Sequence, residues 1–237
     1  MTRRRWIADE VSGDRATLKG AHAEHLIRVL RARNGQEFDI AVEGVVRRGR
    51  IVNIADGRVD FQLGDEVQTV LTARLTLLLA IYKFDRMEDA IEKCTELGVS
   101  RIIPLIARRT DAHLAAAAAK RVERWRKIAR QAAEQSRRSS SPEVDAPVRF
   151  KDVVTPEGAL RILLNESESE NMLREALAAH RSGEEIVVAI GPEGGWTQDE
   201  LNAFEQSGWI SASIGSTILR AETAAIAATA IVFSQGR

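Results

Sequence analysis

Five consecutive apolar residues, Ile186-Val187-Val188-Ala189-Ile190, run straight into Gly191-Pro192-Glu193-Gly194-Gly195-Trp196. An apolar run of this length that stops at a Gly-rich turn reads as a buried strand, ending where the backbone must be exposed. Three glycines around one proline uncover peptide N–H and C=O groups that side chains would otherwise cover. Thr197 with Glu200 three residues on forms a capping box, so a helix begins there. Strand, exposed-backbone loop and helix N-terminus commit this part of the chain to an α/β fold, and in such folds ligands bind at that junction. The loop is neither a Walker A loop, which ends in Gly-Lys-Ser/Thr, nor a GxGxxG fingerprint.

The alternation extends back to residue 75. Residues 75–81 are an apolar run; Met87, Ile91, Cys94 and Leu97 follow at helical spacing, with Gly98 where a helix C′ residue sits. Residues 102–106 read as a strand, 114–137 as a long helix, 161–164 as a strand and 171–180 as a helix. A nearly all-apolar helix over 222–233 closes the chain. Such alternation implies a parallel sheet covered on both faces. Residues 1–70 differ. Phe38, Ile40 and Val42 alternate, as do Val59, Phe61 and Leu63, and Asn34-Gly35, Asp56-Gly57 and Gly64-Asp65 supply turns. One helix near 23–31 interrupts these short strands. The pattern predicts a small β-barrel over 1–70 and an α/β domain over 71–237.

At 237 residues the chain has room for both. No apolar run approaches the roughly 18 residues of a membrane span, and the basic start Thr2-Arg3-Arg4-Arg5-Trp6 lacks the apolar region of a secretory signal. The single cysteine, Cys94, forms no intrachain disulfide and points to a reducing cytoplasm. His22, His25, His113 and His180 show no metal-ligand spacing, so no metal is expected. Formal net charge is zero, yet the charges are segregated. Eleven Lys/Arg face three acids over 101–138, eleven face seven over 1–50, and twelve acids face four bases over 151–206. Segregation of this kind suits an RNA-facing surface, and for any one cluster a solvated helix face is the competing reading.

A second segment follows the glycine loop: Ser213-Ile214-Gly215, then Ile218-Leu219-Arg220-Ala221-Glu222-Thr223-Ala224-Ala225. GPEGGWTQDEL and ILRAETAA together resemble the C-terminal signature of the 16S rRNA (uracil-N3)-methyltransferase family, in the SPOUT class of S-adenosylmethionine enzymes. HLIRVLRARNGQEFDI (25–40), KFDRMEDAIEKCTELGV (83–99), RWRKIARQAAEQS (124–136) and PEVDAP (142–147) resemble that family's blocks in its order. The combination is specific, and each piece alone is weak. Two departures stand out: Phe84 where the family has Gly, and Arg138 with Ser139-Ser140-Ser141 in place of a Gly-Arg stretch. The resemblance implies a SPOUT domain with a C-terminal trefoil knot, a PUA-like N-terminal barrel and a homodimer. It further implies methylation of uracil N3 in small-subunit rRNA, at the decoding-region uridine conventionally numbered 1498, with S-adenosyl-L-methionine as cofactor.

Three loops at strand ends would then form the cofactor pocket: Leu164-Asn165-Glu166, Ile190 through Gly191, Pro192, Glu193, Gly194 and Gly195, and Ile214-Gly215 with Ile218-Leu219. Thr223 and Ala224 stand beside them. Arg220 is the candidate catalytic residue, because a guanidinium offers paired donors to the O2 and O4 of a uracil anion and stays cationic. Glu222 would orient Arg220 or bind the cofactor's ribose, as would Glu193; an acid favouring a helix N-terminus is the alternative. Arg28, Arg31, Arg47, Arg48 and Arg50, with Arg121, Arg124, Lys127 and Arg130, are the candidate RNA contacts. Competing functions are a SPOUT ribose 2′-O or other-base methyltransferase, and an RNA-binding assembly factor with a vestigial pocket.

Overall fold

The computed structural model describes residues 5–42, 44–67, 74–136, 138–153, 157–181 and 183–234. It divides into two compact units, Met1–Leu71 with Ala133–Ser141, and Thr72–Ala132 with Pro142–Arg237. The expected junction at 70/71 lies outside the described residues. Residues 133–141 group with the first unit, which the spacing of apolar residues does not foretell. Within that unit Glu134 Oε2 lies 3.1 Å from His22 Nε2.

The first unit comprises β1 (Arg5–Ile7), β2 (Glu10–Ser12), β3 (Arg15–Leu18), α1 (Gly20–Glu24), β4 (Glu37–Val42), β5 (Val45–Ala55) and β6 (Arg58–Glu66). The sheet order is β1-β4-β5-β6-β3-β2, antiparallel except for the parallel pair β1–β4. Its two ends, β1 and β2, belong to one nearly continuous segment: Ala8 N–H bonds to Ala41 O beside β4 and Asp9 N–H to Thr17 O of β3, so the sheet curls round on itself. Asp56 and Gly57 both take positive φ, 51° and 69°, the two-residue turn whose twist suits the β5–β6 hairpin. Gly49 answers to space instead: a Cβ there would stand 2.3 Å from Ile40 Cγ1, at a β-bulge in β5. Leu18, Leu26, Ile40, Ile51, Val59 and Phe61 fill the core. The expected helix near 23–31 is present, starting at Gly20 and changing pitch after Glu24. Wider π-type turns over His25–Val29 follow, closed by Leu30 N–H to His25 O and ending at Arg31 with φ 50°.

The second unit holds β7 (Arg74–Ala80), α2 (Phe84–Leu97), β8 (Arg101–Ile106), α3 (Ala112–Ala117), α4 (Val122–Gln135), β9 (Glu143–Val144) and β10 (Val148–Arg149). Then come β11 (Leu160–Leu164), α5 (Leu173–Ala176), β12 (Glu185–Ile190), α6 (Gln198–Gln206), β13 (Ile210–Ala212) and α7 (Ala221–Ser234). All pairings are parallel, in the order β10-β8-β7-β12-β11-β13 with β9 also on β8. Alternate residues of β7 serve opposite layers. Leu75, Leu77 and Leu79 face α2 and α7, whereas Leu78 and Ala80 join Trp196, Phe204 and Trp209. A strand buried on both faces is nearly all apolar, which is why 75–81 shows no alternation; its one polar residue, Thr76, gives its hydroxyl hydrogen to the Glu185 carboxylate.

Two expected helices are shorter than their periodicity suggests. Over the described residues 114–136 the chain is α3, a 3₁₀ turn over Ala118–Arg121, then α4, with Arg137 of the expected helix outside the described residues. Residues 171–173 bond to Ser213 as an added edge, so α5 begins only at Leu173. Phe84, the first departure, packs edge-on against the buried Trp125 with ring centroids 5.9 Å apart.

Candidate active site

The loops after β11, β12 and β13 converge with the first turn of α7 on a cavity of roughly 400 Å³, within the size range of small-ligand sites. Sheet order explains the convergence: β11 is flanked by β12 and β13, so three parallel strands deliver their carboxyl ends to one place. Leu164, Asn165, Glu166, Ile190, Gly191, Pro192, Glu193, Gly195, Ile214, Gly215, Ile218, Leu219, Arg220 and Ala224 line it. Gly194, Thr223 and Glu222 do not. Gly194 turns toward Arg109, which donates from Nη1 to its carbonyl at 2.6 Å. Thr223 is exposed on the face of α7 away from the cavity. Lining residues that residue patterns did not single out include Arg86, Ser167, Trp196, Ser213 and Thr217. Trp196 had a signal, standing directly after Gly195; Arg86 had none beyond its place in the 83–99 block.

The glycine loop is held from both sides. Trp196 Nε1 donates to Leu164 O at 3.0 Å, and a Cβ on Gly191 would lie 3.2 Å from the indole. Gly195 takes φ 68°, where a side chain is strained. Behind the loop, Glu200 is only 2% exposed. Its carboxylate accepts Arg108 N–H at 2.8 Å, Thr197 N–H at 2.9 Å and the Thr197 hydroxyl at 2.9 Å. The capping box therefore also anchors the turn after β8. Removing this acceptor strands two part-buried N–H groups. Glu200→Ala is expected to cost about 3 kcal/mol of folding stability, read from the denaturant midpoint; a loss below about 1 kcal/mol would reduce the interaction to a surface pair.

The charged groups pair otherwise than the sequence suggests. Arg220 is exposed, and its guanidinium has no hydrogen-bond or ion-pair partner among the described residues. Glu222 does not orient it. Instead Arg86 Nη1 donates to Glu193 Oε1 at 2.6 Å while Arg86 Nε lies 3.8 Å from Glu222 Oε1. The second Glu222 oxygen, Oε2, is buried and has no hydrogen-bond partner among the described residues. Cys94 is fully buried beneath the Thr229 hydroxyl, and burial pushes its thiol up to about 12, which removes it as a nucleophile.

The candidate RNA contacts divide. In the first unit Arg28 and Arg31 are exposed, whereas Arg47 donates to Gly64 O at 2.9 Å, Arg48 pairs with Asp39 at 3.3 Å and Arg50 with Glu37 at 3.4 Å. In the second unit Arg124 forks onto Glu88 with two bonds of 2.6 Å, and Arg121 stacks 4.8 Å over the Phe84 ring. Lys127 and Arg130 are exposed. On α4, then, Arg124 is tied to a carboxylate while Lys127 and Arg130 are open to solvent. Among the described residues no cluster of His, Cys, Asp or Glu has the makings of a metal site, and no helix is long and apolar enough to cross a membrane.

Comparison with known proteins adds four likenesses. A model of the RNA methyltransferase domain matches residues 70–233. A ribosomal RNA small subunit methyltransferase E of Synechocystis is 36% identical over 219 residues, covering 90% of this chain and 71% of its own. Its counterpart in Rickettsia conorii is 34% identical over 197 residues, covering 77% and 79%. The crystal structure of a ribosomal RNA small subunit methyltransferase E from Neisseria gonorrhoeae bound to S-adenosyl methionine superposes with TM-score 0.79 at 28% identity, over 98% of each chain.

Proposed function

Since the chain belongs to the RNA methyltransferase domain family, together with the ribosomal RNA small subunit methyltransferase E proteins, we propose that it methylates uracil N3 in 16S rRNA. The target is the decoding-region uridine, and the enzyme acts in the cytoplasm as a homodimer. S-adenosyl-L-methionine is the cofactor, and when bound it supplies an electrophilic methyl on a sulfonium centre. The cavity suits it. Leu164, Ile190 and Leu219 offer apolar faces to an adenine, and Ile218, 80% exposed at the rim, has apolar surface left to cover. At Gly215 a Cβ would meet nothing within 4 Å, so the lining there stays open for a ligand.

The observation that carries the reading is the Arg220 guanidinium on the rim of that cavity, which has no partner among the described residues. Protonated uracil N3 is a poor nucleophile, and loss of its proton spreads charge onto O2 and O4. A guanidinium with no internal carboxylate to satisfy presents its donors to those oxygens. The first unit supports a PUA-like role in gripping RNA, with Arg28 and Arg31 exposed beside the π-type turns. Trefoil threading of the parallel sheet belongs to the same reading, as does a second copy packed along α7, whose Ala224, Ala227 and Ala230 are not buried within the chain; sedimentation as a monomer at micromolar concentration would count against the dimer.

Mass mapping of rRNA from a deletion strain tests the whole. Loss of a single N3-methyluridine from 16S rRNA is expected, restored by the wild-type gene. Loss of a ribose methyl or another base methyl would favour the alternative chemistry, and an unchanged map would leave an assembly factor. RNA binding by the full chain should weaken steeply with salt.

A further inference from the structure

Arg86 carries the wrong sign for its position. It stands in the first turn of α2, where the helix dipole favours acids and Asp85 already lies. Its guanidinium leaves the helix for two carboxylates, Glu193 in the glycine loop at 2.6 Å and Glu222 in the first turn of α7 at 3.8 Å. One cation on the cavity wall therefore joins three elements far apart in the chain. An ordinary surface ion pair would be worth no more than about 1 kcal/mol. This one is less exposed: the side chains are 29%, 38% and 15% exposed for Arg86, Glu193 and Glu222. Glu222 has the most at stake, because its Oε2 is buried without a hydrogen-bond partner among the described residues. Without Arg86 two carboxylates would share one site, one of them largely removed from water, and the arrangement would relax by moving the loop.

We infer that Arg86 is a positioning residue, which neutralises Glu193 and Glu222 together and so holds the glycine loop against the start of α7 in its ligand-accepting shape. The inference rests on the reading of this cavity as the S-adenosylmethionine site. Arg86 touches neither the base nor the methyl group, so its loss acts on cofactor affinity rather than on the chemical step.

Calorimetry with S-adenosylmethionine, unfolding midpoints and single-turnover rates on wild type, Arg86→Ala, Arg86→Gln and Arg86→Gln/Glu222→Gln provide the test. Both single variants are expected to bind about tenfold or more weakly, while their rates at saturating cofactor and RNA stay within about threefold of wild type. The double variant, with the buried Glu222 carboxylate neutralised, should recover affinity to within about threefold, which a merely structural role of Arg86 does not predict. Wild-type affinity in the single variants overturns the inference, as does a double variant no better than Arg86→Gln. If both single variants fail to fold, Arg86 serves the fold and the inference is likewise wrong. A wild-type protein that does not bind S-adenosylmethionine defeats the parent reading and this one with it; a binding wild type with unaltered variants defeats this one alone.

Discussion

Arg220→Ala and Arg220→Lys are both expected to lower the rate of methyl transfer by about two orders of magnitude or more, the scale seen when an anion-stabilising donor is removed. Among the described residues the side chain makes no ion pair, so its removal strands no buried partner there and is expected to leave the fold intact. On the proposed uracil chemistry its contribution arises mainly as charge develops on the base, that is, in the transition state. Cofactor affinity should therefore change much less than rate. Lysine keeps one positive charge but loses the planar paired donors, so it does not substitute here. The target base must also be unstacked, and some RNA affinity is lost alongside without altering the comparison. Single-turnover kinetics at saturating RNA and cofactor decide the matter: a near wild-type rate for Arg220→Ala would make the residue structural and the mechanism wrong.

How far this site was readable in the sequence depends on how local its causes are. The strand ending at Ile190, the exposed-backbone turn and the Thr197–Glu200 capping box are set by neighbouring residues, and all three are found where local rules put them. The Asp56-Gly57 hairpin belongs with them. Pairings between distant elements were not readable. Glu222 sits two residues from Arg220, yet its partner is Arg86, over a hundred residues earlier, because β7 and β12 are neighbours in the sheet and bring the start of α2 to the glycine loop. The same holds for Glu200, whose role as a cap was legible and whose bond to Arg108 N–H was not. Helix lengths failed for a related reason. Apolar spacing over 114–137 and 171–180 is compatible with continuous helices, and tertiary demands interrupt them, as when Ser213 claims the backbone of residues 171 and 173. On the arginine-rich stretches, composition sees charge but not its compensation, so Arg124 and Lys127 look alike until Glu88 is in place.

The glycine loop offers the other large effect, and geometry distributes it unevenly among the glycines. Gly195→Val puts a β-branched residue at φ 68°, a conformation costing L-residues about 2 kcal/mol, with its Cβ 3.0 Å from Glu166 Oε1. Gly191 has no such φ, but a Cβ there meets the Trp196 ring at 3.2 Å. That ring cannot retreat: its Nε1 is bonded to Leu164 O, and its other side packs against Phe204 with centroids 5.0 Å apart. Valine at 191 is thus overpacking against a fixed wall, a penalty of about 1–3 kcal/mol. Gly194 is different. Its Cβ would contact Arg109 Cδ at 3.4 Å, an ordinary distance to a flexible side chain, and it lies outside the cavity lining. Because both strained positions lie in a loop on the cavity wall, relief comes most cheaply by deforming the loop, and ligand binding suffers before the fold does. Gly191→Val and Gly195→Val are therefore expected to weaken S-adenosylmethionine binding about 100-fold or more, equivalent to about 2.7 kcal/mol, with a cooperative unfolding transition retained. Gly194→Val should stay within about fivefold of wild type, roughly 1 kcal/mol. Calorimetry on the three variants separates a shaped cofactor loop from plain punctuation: equal affinities throughout would show that GPEGG is only a turn, and a loss confined to Gly194→Val would mean that the loop meets its ligand on the opposite side.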